Sequence, residues 1–330
     1  LEGREGRLEG WQDARGREFV LERPYARVPA RGLEVVLTID TEIQRICREE
    51  LAAAAAEHHP ETSSAVVVHV ETGEILGAFS WPCADPDRLE EGARHLRLGA
   101  LQDSYDPGSA IKPLFLSWAL QRGAVSPDDR IDCGGPAGYA TFGARVVREY
   151  SPNPEPLDLE AVLYRSSNVG AVRIALERLS LAGMYEALEA FGVKTRRPVA
   201  FPALAPPTYT EWSEFATTRE ELRRIGYLRS DRRNHRAVTW TGISLAQGYE
   251  MRLSPLDMAR IYTTFARLGD LTELSLLKEV RRWDAVGRPE SLSHRVLDQV
   301  PATFIRSALQ QVVDNPRGPG RRARSTRFSM

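Results

Sequence analysis

Tyr105-Asp106-Pro107-Gly108-Ser109-Ala110-Ile111-Lys112 is the stretch around which the rest of the chain is read. Pro107-Gly108 is a turn pair that permits close backbone approach. The apolar run after it, Leu114-Phe115-Leu116 and Trp118-Ala119-Leu120, predicts a helix. Pro113 is tolerated if it lies in that helix's first turn. Ser109 then stands at the helix start and Lys112 nearly one turn later, on the same face. A serine hydroxyl is a weak nucleophile until a base takes its proton, and a neighbouring amine can be that base. Lysine is scarce: 41 of the 44 basic residues are arginine, and the lysines are Lys112, Lys194 and Lys278. Arginine cannot release its proton in a protein, whereas a partly buried lysine can. The plainer reading of Lys112 is a surface helix lysine. The same spacing recurs at Ser275-Leu276-Leu277-Lys278, where no turn precedes it and the leucine-rich context reads as packing.

The bulk numbers set bounds. A chain of 330 residues has room for one large domain, or one domain plus a remnant. With 42% hydrophobic and 27% charged residues, its composition is ordinary for a globular protein. A net charge of −1 gives no field that argues for nucleic acid. No run approaches the roughly 18 apolar residues of a membrane span. The chain opens on Leu1 with no signal-peptide pattern, so its natural start is expected to lie upstream. Cys47, Cys83 and Cys133 have no metal-ligand spacing and read as free thiols. His58-His59 reads as a solvated helix end, and His69, His95, His235 and His294 lack a triad setting. No cofactor and no metal are expected.

Outward from the motif, residues 1–31 are polar and arginine-rich, with too few apolar residues for a core. Leu33 to Ile39 predicts a strand, and Asp40 then caps a helix carrying Ile43, Ile46, Cys47 and Leu51. Ser64–Val70 and Ile75–Phe79, joined by Glu71-Thr72-Gly73-Glu74, predict a hairpin. From Asp132 to about residue 156 the chain reads as irregular. Short helices are expected at Leu157–Leu163, Val169–Leu181 and Met184–Phe191. The arginine-rich part of 196–240 reads as solvated. A helix at Pro255–Leu268, a strand-like run at Leu274–Val280 and a helix at Ala302–Val313 precede a basic tail from Gly318. Strands at both ends with helices between argue for an α+β sheet protein rather than regularly alternating βαβ units.

With Ser109, Lys112, Ser166 and Asn168 in hand, the chain resembles the transpeptidase domain of class B penicillin-binding proteins, whose superfamily combines S-x-x-K, S-D-N-type and K-T-G motifs. The resemblance extends to Val36-Leu37-Thr38-Ile39-Asp40 with Gln44, to Val70-Glu71-Thr72-Gly73-Glu74-Ile75-Leu76-Gly77 and to Trp81-Pro82. It continues through Tyr164-Arg165-Ser166-Ser167-Asn168-Val169-Gly170, Gly242-Ile243-Ser244-Leu245-Ala246-Gln247-Gly248 and Ser254-Pro255-Leu256-Asp257-Met258-Ala259. These landmarks stand in family order over roughly residues 32–330. The third motif, Lys-Thr-Gly, does not occur; at Lys194-Thr195 an arginine, Arg196, replaces the glycine. The expectation is therefore a chain cut at both ends. Residues 1–31 would be a remnant of an N-terminal pedestal domain. Residues 32–330 would be the transpeptidase domain without its third motif and last sheet strands.

The resemblance implies acyl transfer on the D-Ala-D-Ala stem peptide of peptidoglycan through a serine acyl-enzyme, and binding of β-lactams. It casts Ser109 as nucleophile, Lys112 as its base, Ser166 as proton relay and Asn168 as the group that orients Lys112 and holds the substrate amide. It also implies a parent protein anchored by one span on the extracytoplasmic face of the bacterial inner membrane. There it would work in division or elongation, with a glycan polymerase and division or elongation proteins as partners and no nucleic acid. Two other functions stay open, a β-lactamase-like serine hydrolase and a non-catalytic sensor or scaffold. Ser166 or Asn168 also has a plain alternative role as a helix cap.

Overall fold

The computed structural model describes residues 3–16, 18–84, 98–193, 240–282 and 285–325. The Lys194-Thr195 pair, His95, His235, most of the 196–240 stretch and the last five residues of the tail lie outside them. Strands β1 (Arg7–Gln12) and β2 (Glu18–Arg27) form an antiparallel pair at the N-terminal end. Strand β3 (Glu34–Leu37) follows, shorter than the run read from the sequence. Asp40 then opens helix α1 (Thr41–His58) as expected, its carboxylate accepting from the Glu42 and Ile43 backbone N–H groups. His59 ends that helix in the left-handed conformation.

The predicted hairpin is β4 (Ser63–Val68) and β5 (Ile75–Trp81), antiparallel, with Val66 opposite Ala78. Helix α1 lies on β5. The Gln44 side-chain amide donates to the Ala78 carbonyl at 2.8 Å and accepts from the Ala78 N–H at 2.9 Å. Gly77 keeps that approach open, because a Cβ there would press on Ile43 and Cys47. Strand β3 pairs antiparallel with a late strand, β9 (Leu277–Arg282), placing Val35 opposite Val280. The hairpin joins them through the Ile75 N–H to Ser275 carbonyl bond and the Thr38 hydroxyl, which donates to the Ile75 carbonyl at 2.7 Å.

A short helix, α2 (Gly99–Gln102), leads into a 3₁₀ turn, Gly108–Ile111, and helix α3 (Lys112–Gln121), with Pro113 in its first turn as the sequence required. Leu114, Phe115, Leu116, Ser117 and Ala119 of α3 are all buried, so the helix is enclosed on every side. Each large apolar side chain buried this way contributes about 1.5–3 kcal/mol.

Residues 132–156, read as irregular, contain a hairpin, β6 (Tyr139–Phe142) and β7 (Arg145–Arg148). Four-residue strands joined by Gly143-Ala144 are too short for an alternation signal. Gly143 supplies the positive φ, 61°, that such a tight turn needs. Beyond it lie α4 (Leu159–Tyr164) and α5 (Asn168–Arg173), the latter running on as a π-helical stretch, Ile174–Leu179. Helix α6 (Ser180–Ala190) follows after a break at Ser180, φ 70°. The sequence reading placed that break at residues 182–183. Gly183 sits inside α6, where a Cβ would press on the Leu179 side chain.

Residues 240–246 are helical and α7 (Pro255–Ala266) follows, capped by Ser254 and Asp257 bonding reciprocally. Strands β8 (Asp270–Thr272), β10 (Ala285–Gly287) and β11 (Ser293–Arg295) add to the sheet side, and helix α8 (Gln299–Asp314) closes the described fold. Two apolar clusters result. The larger joins α3 to α8, and the smaller packs Ile75, Ala78, Leu101 and Leu276 beneath the sheet. Helix α7 belongs to both, with Met258, Ile261 and Phe265 in the first and Leu256 in the second. Among the described residues no helix is long and apolar enough to cross a membrane.

Candidate active site

Ser109 lies in the 3₁₀ turn that leads into α3. Three residues per turn eclipse positions i and i+3, so the turn aligns Ser109 and Lys112 on one side. The Lys112 N–H donates to the Ser109 carbonyl and closes the turn. Neighbours hold the turn from outside. The Gly108 N–H donates to the Gly248 carbonyl at 3.1 Å, and Tyr105 and Leu253 exchange both backbone bonds at 3.0 Å. The Tyr262 hydroxyl of α7 donates to the Ala110 carbonyl at 2.9 Å. Gly248, at φ 78°, must be glycine here, since a Cβ would overlap the Gly108 carbonyl. Ser109 itself is exposed.

Lys112 is 1% exposed, which excludes the surface-lysine reading. Its Nζ donates to three acceptors: the Ser166 carbonyl at 2.7 Å, the Asn168 Oδ1 at 2.8 Å and the Ser166 hydroxyl at 3.1 Å. An ammonium has three donors, and all three are used. Burial disfavours the charged form and pulls the Lys112 pKa down to about 8, against a smaller opposing pull from Glu149. The neutral amine has two donors and one lone pair, so one of the three contacts must reverse. The Ser166 hydroxyl is the partner that can turn and donate.

Local backbone chemistry explains why those partners are in place. Helix α4 ends in a Schellman motif: the Ser166 N–H bonds the Leu163 carbonyl and the Ser167 N–H bonds the Val162 carbonyl. The left-handed position of that motif usually takes glycine, yet it holds Ser166 at φ 55°. Such a residue costs on the order of 1–3 kcal/mol. The sharp reversal aims the Ser166 carbonyl and hydroxyl together at Lys112. Neither Ser166 nor Asn168 caps α5; Ser167 does, its hydroxyl accepting from the Gly170 N–H at 2.9 Å.

The sequence reading missed Glu149, which follows β7. Its carboxylate accepts from the Ser167 hydroxyl at 2.6 Å, the Val169 N–H at 2.7 Å and the Asn168 N–H at 3.1 Å. The Asn168 side-chain amide donates to the Arg148 carbonyl at 2.9 Å, which fixes which end of that amide faces Lys112. Arg145 ties the same hairpin to the 240–246 helix through the Ser244 hydroxyl at 2.7 Å and the face of Trp240. No local motif marks Glu149, because its partners lie 18–20 residues away and the hairpin that carries it is itself faint in sequence.

Lys112, Ser166 and Asn168 are thus gathered at the junction of α3, α4 and α5, and the exposed Ser109 lies in the turn just before Lys112. The second pair is not part of it. Ser275 sits at a backbone bridge to Glu74, and Lys278 is exposed on β9. Cys47 and Cys133 are buried free thiols and Cys83 an exposed one.

A family model for the penicillin binding protein transpeptidase domain matches residues 63–328. The probable peptidoglycan D,D-transpeptidase PbpC of Pseudomonas aeruginosa is 26% identical over 322 residues, which is 96% of this chain and 50% of that protein. The peptidoglycan D,D-transpeptidase FtsI of Escherichia coli is 28% identical over 293 residues, 84% of this chain and 44% of that protein. The chain spans about half the length of these curated relatives. Among solved structures, the transpeptidase domain of Burkholderia pseudomallei penicillin-binding protein 3 superposes with a TM-score of 0.67 at 24% identity, over 89% of this chain and 74% of that one. That likeness establishes the α+β fold read from the sequence.

Proposed function

The chain belongs to the penicillin binding protein transpeptidase family, and from that premise we propose that it is the acyl-transfer domain of a peptidoglycan D,D-transpeptidase. The observation that carries the reading is the buried Lys112, 1% exposed and bonded to Ser166 and Asn168 one turn after an exposed serine. A pKa drawn down to about 8 suits a base that works near neutral pH. The substrate is the D-Ala-D-Ala end of a stem peptide, with β-lactams as mimics.

Ser109 Oγ attacks the carbonyl carbon between the two D-alanines as Lys112 takes its proton. The carbonyl oxygen becomes an oxyanion, received by the Ser109 backbone N–H. Collapse of the adduct breaks the C–N bond, and the proton passes from Lys112 through the Ser166 hydroxyl to the leaving nitrogen. Terminal D-alanine departs, leaving an ester on Ser109. An amine of a second stem then attacks the ester, and its proton returns to the serine oxygen. Asn168 holds Lys112 and accepts or donates to the substrate amide.

The relatives' names support a place in cell-wall synthesis, and we propose that the chain works on the extracytoplasmic face of the membrane, beside a glycan polymerase. A hydrolase would need a base for water. Glu149, the carboxylate bonded into this network, spends its oxygens on the Ser167 hydroxyl and two helix N–H groups. The test is incubation with a D-Ala-D-Ala stem peptide and an acceptor amine. Release of one D-alanine per amide formed is expected; release to water alone would replace this reading with the hydrolase.

A further inference from the structure

We infer that Glu149 is a positioning residue for the acyl-transfer site: its carboxylate sets the start of α5, and with it Asn168, and its charge keeps Lys112 basic. The inference deepens the function proposed above and rests on it. Three observations support it. The carboxylate receives three donors from consecutive residues, Ser167, Asn168 and Val169. Asn168 is then held at both ends, by the backbone N–H to Glu149 and by the side-chain N–H to the Arg148 carbonyl, so its Oδ1 faces Lys112 at 2.8 Å. Glu149 is also the charged group whose field acts on the Lys112 ammonium, opposing the desolvation that lowers its pKa.

The other groups near the site do not supply that charge. Ser166 and Asn168 are neutral. Tyr262 of α7 is neutral, its hydroxyl pushed up to about 12 by burial. Tyr105 and Asp106, on the segment before the turn, are exposed to solvent, which screens them. Without Glu149 the desolvated amine would lose its proton at lower pH and be a weaker base for the serine hydroxyl. The acidic residue therefore acts through Asn168 and Lys112 and does not touch the substrate.

The small lysine content makes the test direct. With lysine carrying ¹³C at Cε, the protein gives three signals, from Lys112, Lys194 and Lys278. Lys194→Arg and Lys278→Arg identify the signal of Lys112. In Glu149→Gln, which keeps the shape and removes the charge, the Lys112 titration midpoint is expected to fall. The acidic limb of the penicillin-labelling rate should move down in pH with it, and the rate itself should drop about 10- to 100-fold. An unmoved midpoint in folded Glu149→Gln overturns the inference. If Glu149→Gln does not fold, Glu149→Asp decides. It keeps the charge on a shorter arm, so the midpoint should stay while labelling slows, and a midpoint that falls there overturns the inference instead. The titration needs no turnover. A protein that fails to label therefore defeats the transpeptidase reading, while Glu149 is still judged by the Lys112 midpoint.

Discussion

Two segments of this chain carry the same spelling, serine then lysine three residues on, and the fold treats them oppositely. At Ser109 and Lys112 the backbone is a 3₁₀ turn, so the two side chains share one side and the lysine is carried into the interior. At Ser275 and Lys278 the chain passes from a backbone bridge through a bend at Leu276 into β9, and the β3 pairing shifts register at Lys278, so no helical period brings the two side chains together. The Ser275 hydroxyl bonds locally, donating to the Leu277 carbonyl at 3.1 Å, and Lys278 faces solvent. Reading that second pair as packing was half right: the leucines between are drawn in, but the lysine is not. Spacing becomes chemistry only when the local backbone has the matching period, and the turn residues Pro107-Gly108 are what separate the two cases.

The sharpest way to break this contrast is to truncate both pairs. Ser109→Ala or Lys112→Ala should lower the rate of labelling by a fluorescent penicillin by roughly 1,000-fold or more, as expected when members of a catalytic unit are removed. Ser275→Ala and Lys278→Ala should leave that rate within about twofold and stability within about 0.5 kcal/mol. Comparable losses at both pairs would erase the distinction.

Next in size is Asn168→Ala. It takes one acceptor from a buried ammonium and leaves the Arg148 carbonyl without its side-chain donor. An unsatisfied buried partner costs about 1–3 kcal/mol, so the labelling rate should drop roughly 5- to 150-fold. An unchanged rate would show that Ser166 holds Lys112 alone.

A pH series reads the same lysine directly. Burial lowers its pKa to about 8, so below that pH the amine is protonated and cannot accept the serine proton. Labelling should therefore rise with pH through about 8 and level off above it. In Lys278→Ala the limb should not move. A flat profile between pH 6 and 9 would take the base role away from Lys112.

The smallest effect separates stability from function. Ser166→Gly relieves the left-handed strain at φ 55° and should raise stability by about 1 kcal/mol or leave it unchanged, while labelling falls because the hydroxyl on Lys112 is gone. A variant that is both less stable and equally active would reverse the assignment.

How far the sequence could be read follows from how local each signal is. The Asp40 cap, the β4–β5 hairpin, Pro113 in the first turn of α3 and the amphipathic α7 all depend on neighbours within one or two turns, and all were legible. Lys112, Ser166 and Asn168 were legible as motif residues. The cap at Ser167, the hairpin at 139–148 and the bonds of Glu149 were not. Ser167 carried no role of its own in the sequence, standing only in the middle of the Ser166-Ser167-Asn168 run. Its hydroxyl is committed because a Schellman reversal, built on serine where glycine is usual, turns the chain just before it. Glu149 is placed by tertiary contact between a hairpin and a helix start, which no window of sequence contains. Gly248 lay within a recognised landmark, but only the structure gives its reason, the closeness of the Gly108 carbonyl.

The most direct test of the central claim is to map the adduct. The protein is acylated with a penicillin, digested, and the modified peptide sequenced by mass spectrometry. The account predicts one penicilloyl group, on Ser109, absent from Lys112→Ala under the same exposure. An adduct on Ser275 or any other serine, or full acylation of Ser109 in Lys112→Ala, would contradict it.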